Sequence, residues 1–312
     1  MRPLRVGEVL DVAIKVYLRN ARTMFKIVFV VVAPVQVLAM VIMASTTPDP
    51  DLFNPTFETP QPGEVPAFDA SEVWGFVAAV LITGLLSWIA TTIATGACYK
   101  AVSGAYLGEA PEWKDSLRFA RSRLRLLLWL TLIQTILTAL GFVACIIPGI
   151  WLLVSWAVAV PAMLTEDVRG RAALGRSFGL VKNRWWPTLG ALALGFILGA
   201  IVSGAISGGV AALSFTDVGD SLFATLLVDA IAGTISGVLV TPFQAALATI
   251  IYFDLRVRKE GFDLELLAQH VGVPVPVGAQ PTLIPPEPHP SAQPPFWPPP
   301  PGWKPPEPPE SP

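Results

Sequence analysis

The chain has 312 residues, of which 53% are hydrophobic and only 14% charged, with a mean hydropathy of +0.59 and a formal net charge of -2. A soluble domain carries about 25% charged residues, so a single water-soluble globule is excluded. Two cysteines, Cys98 and Cys145, exclude a disulfide framework as the source of stability.

The first 26 residues carry helical spacing. Glu8, Asp11, Lys15, Arg19 and Arg22 recur at three- and four-residue steps, opposite Val6, Leu10, Ile14 and Tyr17. That predicts an amphipathic helix lying at a membrane surface. An apolar run follows over about residues 27–45. It is full length and comes after a charged segment, as expected of a span and not of a cleaved leader. Residues 46–72 hold Asp49, Asp51, Glu58, Glu64, Asp69 and Glu72 with no base and many prolines, which predicts an extended, poorly ordered loop.

A second apolar run covers 73–99. The next segment repeats the amphipathic theme. Pro111 suits a first helical turn, and Trp113, Leu117, Ala120 and Leu124 oppose Lys114, Arg118, Arg121 and Arg125. Runs at 126–147 and 149–165 are expected to form a hairpin reversing at Ile147-Pro148-Gly149. A third amphipathic stretch sets Leu174, Phe178, Val181 and Trp185 against Arg176, Lys182 and Arg184, before runs at 186–213 and 231–253. Spanning a bilayer core takes roughly 20 apolar residues per helix. The expected fold is therefore an all-α membrane protein with six transmembrane helices. They are arranged as three repeats of an amphipathic interfacial helix plus a helical hairpin. The transmembrane domain would cover 1–270 and a disordered, proline-rich tail 271–312.

All 21 Lys and Arg residues fall before the first run, between the second and third, between the fourth and fifth, or after the sixth. Positive-inside bias then puts both termini in the cytoplasm, with the chain crossing its membrane several times. Because the basic residues are bound up in topology, no nucleic-acid partner is expected. Cys98 and Cys145 fall on opposite faces and are read as buried, inert thiols.

The runs hold few polar groups. Gln36, Gln134 and Gln244 are the candidates for lining a cavity, and two of them sit in Pro-x-Gln pairs, with Pro34 and Pro242. Asp229 precedes the sixth run and is placed at the outer interface. Three small-xxx-small pairs, Gly195/Gly199, Gly204/Gly208 and Gly233/Gly237, are expected to bring the fifth and sixth helices close. There is no HExxH, CxxC, GxxxxGK[ST] or nucleophile elbow. No catalytic residue, metal site or cofactor is expected, and Glu166-Asp167 reads as a helix-end turn. In the tail, Trp297 and Trp303 lie on a polyproline stretch that suits docking to a cytoplasmic protein partner.

Three segments carry a resemblance: Arg2-Pro-Leu-Arg-Val-Gly-Glu-Val-Leu-Asp, Ala173-Leu-Gly-Arg-Ser-Phe-Gly-Leu-Val-Lys-Asn-Arg-Trp-Trp, and Tyr252-Phe-Asp-Leu-Arg-Val-Arg-Lys-Glu-Gly-Phe-Asp-Leu-Glu-Leu-Leu. The chain resembles, over about residues 2–268, a bacterial membrane family common in actinobacteria and labelled "glycerophosphoryl diester phosphodiesterase, membrane domain". The resemblance implies a six-helix bundle with no established activity. In fused members a separate soluble domain performs the hydrolysis, with a histidine-arginine pair and metal-binding carboxylates. The first histidine here is His270, so the resemblance does not extend to that catalytic part.

Two functions are compatible with this pattern. One is a non-enzymatic scaffold or accessory subunit of a membrane complex, using the amphipathic helices to meet a soluble partner or anionic lipid. The alternative is a transporter or lipid-handling permease with a cavity lined by Gln36, Gln134 and Gln244. A polar cavity reaching mid-membrane would favour the second; tightly packed spans would favour the first.

Overall fold

The computed structural model describes residues 5–46, 70–108, 110–168, 170–213 and 222–261. The tail with Trp297 and Trp303, and the acidic segment apart from its last few residues, lie outside the described residues. The described residues form ten helices and no strand: α1 (Val6–Arg19), α2 (Ala21–Thr46), α3 (Ala70–Tyr106), α4 (Trp113–Ser122), α5 (Leu124–Ala144), α6 (Ile146–Ser155), α7 (Ala159–Glu166), α8 (Arg171–Val181), α9 (Trp185–Leu213) and α10 (Leu222–Glu260). Six helical stretches are long and apolar enough to cross a membrane: α2, α3, α5, the α6–α7 pair, α9 and α10.

The amphipathic helices α1, α4 and α8 each precede a long apolar helix, as their spacing predicted. In α1 the buried Val9 and Ala13 face the interior, while Lys15 and Asp11 pair on the exposed side at 2.7 Å. The helix stops at Asn20, whose backbone N–H and side-chain amide both donate to Val16 O, at 3.2 and 3.0 Å, and close the last turn.

Several boundaries differ from the pattern read off the sequence. The α5–α6 reversal falls at Cys145, which is extended, and Pro148 and Gly149 sit inside α6. A proline in a first helical turn sacrifices no intrahelical hydrogen bond, so Pro148 starts the helix instead of breaking it. Pro111 in turn lies outside α4, whose N-cap is Glu112. The third amphipathic stripe ends at Val181; Asn183 takes a positive φ of 72°, and Trp185 opens α9 instead of closing α8. The sixth span begins at Leu222 and not at Ile231, so Asp229 is helical, and α10 continues past Phe253 to Glu260. The α6–α7 span is interrupted at residues 156–158, where Ala157 and Ala159 donate over three residues to Val154 O and Trp156 O. Cys98 is buried, but Cys145 is exposed.

The buried side chains gather at one end. Arg176 of α8 pairs with Glu260 at the end of α10, and Arg123 between α4 and α5 pairs with Asp167 after α7. Lys259 of α10 donates to Gly179 O and Lys182 O at the end of α8. This basic end holds the core: Ile27 and Val28 of α2, Ala97 and Cys98 of α3, Leu127 of α5, Met163 of α7, Leu180 of α8 and Leu247 to Phe253 of α10. Every long helix buries the half nearest that end. Toward the other end Val41, Trp74, Leu81, Val143, Ile147, Ile201 and Phe223 are exposed.

Candidate functional site

The exposed halves of α2, α3, α9 and α10 enclose a polar crevice of about 480 Å³. Gln36 of α2, Thr91 of α3, Ser203 and Ser207 of α9, and Asp229 and Ser236 of α10 line it. On α10 the lining runs from Asp229 to Thr241. At 1.5 Å per residue that is about 18 Å, more than half the thickness of a bilayer core. Apolar side chains would fill such a space if packing alone had shaped it.

Small residues open the room. A Cβ built on Gly233 would stand 2.9 Å from Gln36 Nε2, so Gly233 lets the amide lie against α10. The Ser203 and Ser236 hydroxyls meet at 2.8 Å across the α9–α10 contact. Gln36 itself makes no hydrogen bond and Asp229 no ion pair among the described residues. An amide left unpartnered in an apolar medium costs about 2–7 kcal/mol, so the crevice needs water or a polar ligand to satisfy it.

A second groove of about 520 Å³ lies between α3, α5 and the α6–α7 span. It is rich in threonine, yet Thr91, Thr92 and Thr131 donate back to Ser87 O, Trp88 O and Leu127 O in their own helices. Those three hydroxyls are therefore already engaged within their own helices. Gln134 lines the groove too, but its amide donates to Trp156 O at 3.3 Å. That carbonyl lies where α6 breaks from α7 and also accepts from Ala159 N–H; Ser177 Oγ donates to the neighbouring Ser155 O at 2.8 Å. The Thr138 hydroxyl is buried without a partner among the described residues.

The structure thus separates the three glutamines. Gln36 is in the crevice and Gln134 in the second groove. Gln244 Nε2 donates to Gly195 O at 3.1 Å and ties α10 to α9. Near Pro242, Tyr17 Oη of α1 donates to Leu239 O at 3.2 Å, within the turn that the proline loosens. Trp297 and Trp303 lie outside the described residues.

The basic end carries a network of ion pairs and hydrogen bonds that joins three helices. Arg176 Nε and Nη2 donate to the two oxygens of Glu166 at 2.6 and 3.0 Å, while Nη1 pairs with Glu260. Arg256 Nε donates to Glu260 Oε2 at 3.0 Å, and Tyr252 Oη donates to Glu166 Oε1 at 2.7 Å. Thr165 Oγ1 donates in turn to Tyr252 Oη at 2.6 Å. Burial alone would lower the Arg176 pKa. The hydrogen bonds and charges of Glu260 and Glu166 outweigh it and hold the guanidinium above its ordinary value. The ring fastens α7 and α8 to α10, and with both carboxylates engaged by guanidinium groups it is a clamp and not an acid–base pair. Glu166 is therefore more than the helix-end turn expected of it. Even the Arg256–Glu260 pair, four residues apart on one helix, lies past the 231–253 run expected for the last span. No cluster of His, Cys, Asp or Glu able to hold a metal occurs among the described residues. Among known proteins, no family model, curated protein or solved structure matches the chain.

Proposed function

We propose that the chain is a multi-pass protein of a bacterial plasma membrane, with both termini cytoplasmic, that holds or moves a polar solute or the head of a lipid in the α2–α3–α9–α10 crevice. The observation that carries this reading is the Gln36 amide, unpartnered among the described residues and facing a polar lining deep within the spans. Three repeats of surface helix plus hairpin would supply the frame: α1 with α2–α3, α4 with α5–α7, and α8 with α9–α10. In this orientation the basic end is cytoplasmic and closed by the Glu166–Arg176–Glu260–Arg256 clamp. The crevice then opens toward the outside, which is one half of what an alternating-access protein needs. The other reading, a non-enzymatic scaffold or accessory subunit of a membrane complex, draws on the same tightly packed basic end and has no use for a hydrated crevice.

One experiment separates them. Ser236→Cys, in a background with Cys98 and Cys145 replaced by alanine, is expected to react with a membrane-impermeant maleimide on intact cells. Ala246→Cys, further along α10 at a fully buried position, is expected to stay unreactive. An unreactive Ser236→Cys would mean a dry crevice and would hand the conclusion to the scaffold reading. Reaction only after permeabilisation would reverse the orientation.

A further inference from the structure

We propose that the basic end contains a binding site for the phosphate of an anionic phospholipid headgroup, in a cavity between the starts of α1 and α9 and the last turns of α10. It rests on the reading of the chain as a membrane protein but not on the crevice, which lies along the opposite part of α10. The cavity holds about 320 Å³, at the lower end of small-molecule sites. Its apolar floor includes the buried Ala191 and Leu255, and its polar lining is Arg5, Arg184, Arg258, Asp254 and Thr188.

Among the described residues that line the cavity, three guanidinium groups stand against one carboxylate. Arg258 Nε donates to Asp254 Oδ2 at 2.7 Å, which places that arginine and neutralises the acid. Arg5 and Arg184 make no ion pair among the described residues, unlike Arg123, Arg176 and Arg256 at the same end. Their charge is left for a ligand, and the planar fork of arginine fits two oxygens of a phosphate. The level of the site selects the ligand. Trp185 and Trp186 begin α9 beside it, stacked edge to face at 4.9 Å, with Trp186 76% exposed. Tryptophan in that position marks the headgroup layer, where the phosphates available are those of lipids. The apolar floor suits the glycerol carbons that follow a phosphodiester.

The test uses the full chain, purified in a mild detergent, stripped of lipid and titrated with phosphatidylglycerol, phosphatidylcholine or inorganic phosphate, with bound lipid counted by native mass spectrometry. One phosphatidylglycerol is expected to bind in preference to phosphatidylcholine. Arg5→Gln with Arg184→Gln should weaken it about thirtyfold, and Arg184→Gln alone, at an exposed side chain, about fivefold. Arg118→Gln with Arg121→Gln removes the same charge from α4 and should leave the affinity unchanged. Should the double variant not fold, the single variant decides. Equal losses in the α4 control would mean a diffuse field and overturn the site, as would unchanged affinity in Arg184→Gln. Displacement of the lipid by millimolar inorganic phosphate would assign the cavity to a free anion and overturn the lipid reading.

Discussion

Gln36 and Gln244 show how one residue type serves two ends within a span. Both follow a proline by two positions, and both amides lie among helices. Gln244 closes a hydrogen bond to Gly195 O, so its polar atoms are part of the packing. Gln36 closes none among the described residues and depends on what occupies the crevice. The same substitution should then act in opposite directions. Gln244→Leu removes the donor to a carbonyl on another helix and is expected to destabilise by about 1 kcal/mol. Gln36→Leu removes an amide without a protein partner and is expected to leave stability unchanged or raise it. Thermal unfolding of the purified variants in one detergent measures both. If Gln36→Leu loses as much as Gln244→Leu, Gln36 has a protein partner and the functional reading of the crevice loses its main support.

At the scale of elements, the glycine pairs decide which helices approach. A Cβ on Gly195 would overlap Leu247 Cδ2, and Leu247 is fully buried and cannot swing away. A Cβ on Gly199 would come within 3.0 Å of Gln244 Nε2, so this pair packs α9 on α10. Gly233 and Gly237 face Gln36 and Val32 and serve α10 against α2, while a Cβ on Gly204 or Gly208 meets nothing within 4 Å. Gly195→Ala is therefore expected to cost about 2 kcal/mol, as overpacking in a filled core does, and Leu247→Ala should recover part of it. Gly204→Ala should change stability by less than about 0.5 kcal/mol in the same unfolding assay. A loss at Gly204 equal to that at Gly195 would show a contact the structure does not contain. The contrast also marks what the sequence could yield. Apolar runs and polar stripes state that a helix exists and which side is wet, so the six long helices and α1, α4 and α8 were legible. Partner choice was not, because three identical glycine spacings carry no label for the helix they meet. Helix ends were not legible either. α10 runs past Phe253 because Asp254–Arg258 and Arg256–Glu260 pair at four-residue steps and Lys259 reaches the end of α8, contacts that no hydropathy pattern contains. The clamp on Glu166 was hidden for the same reason: Arg176 and Glu260 lie far from it in the chain or on a different helix.

Over the whole molecule, packing and charge coincide. The half that buries its side chains is also the half where α1, α4 and α8 and their arginines and lysines gather, and where the clamp ties α7, α8 and α10 together. The other half spreads its apolar side chains outward around the crevice. Those apolar surfaces cost little in lipid, where a helix gains nothing by hiding leucine from an equally apolar solvent. The same halves should differ in the water they face. Basic residues are retained on the cytoplasmic side, so the proposed orientation puts the packed end there and the acidic segment at 46–72 outside. Alkaline phosphatase, which is active only after export, reports this directly. A fusion at Pro55, within the acidic segment, should be active. One at Pro111, which leads into the basic helix α4, should be inactive although the protein is made in equal amount. Because all 21 basic residues lie in segments of one parity, neutralising a few of them should not invert the chain. The reverse pair of activities would turn the clamp outward and the crevice inward, and the crevice would then have to be read as an exit toward the cytoplasm.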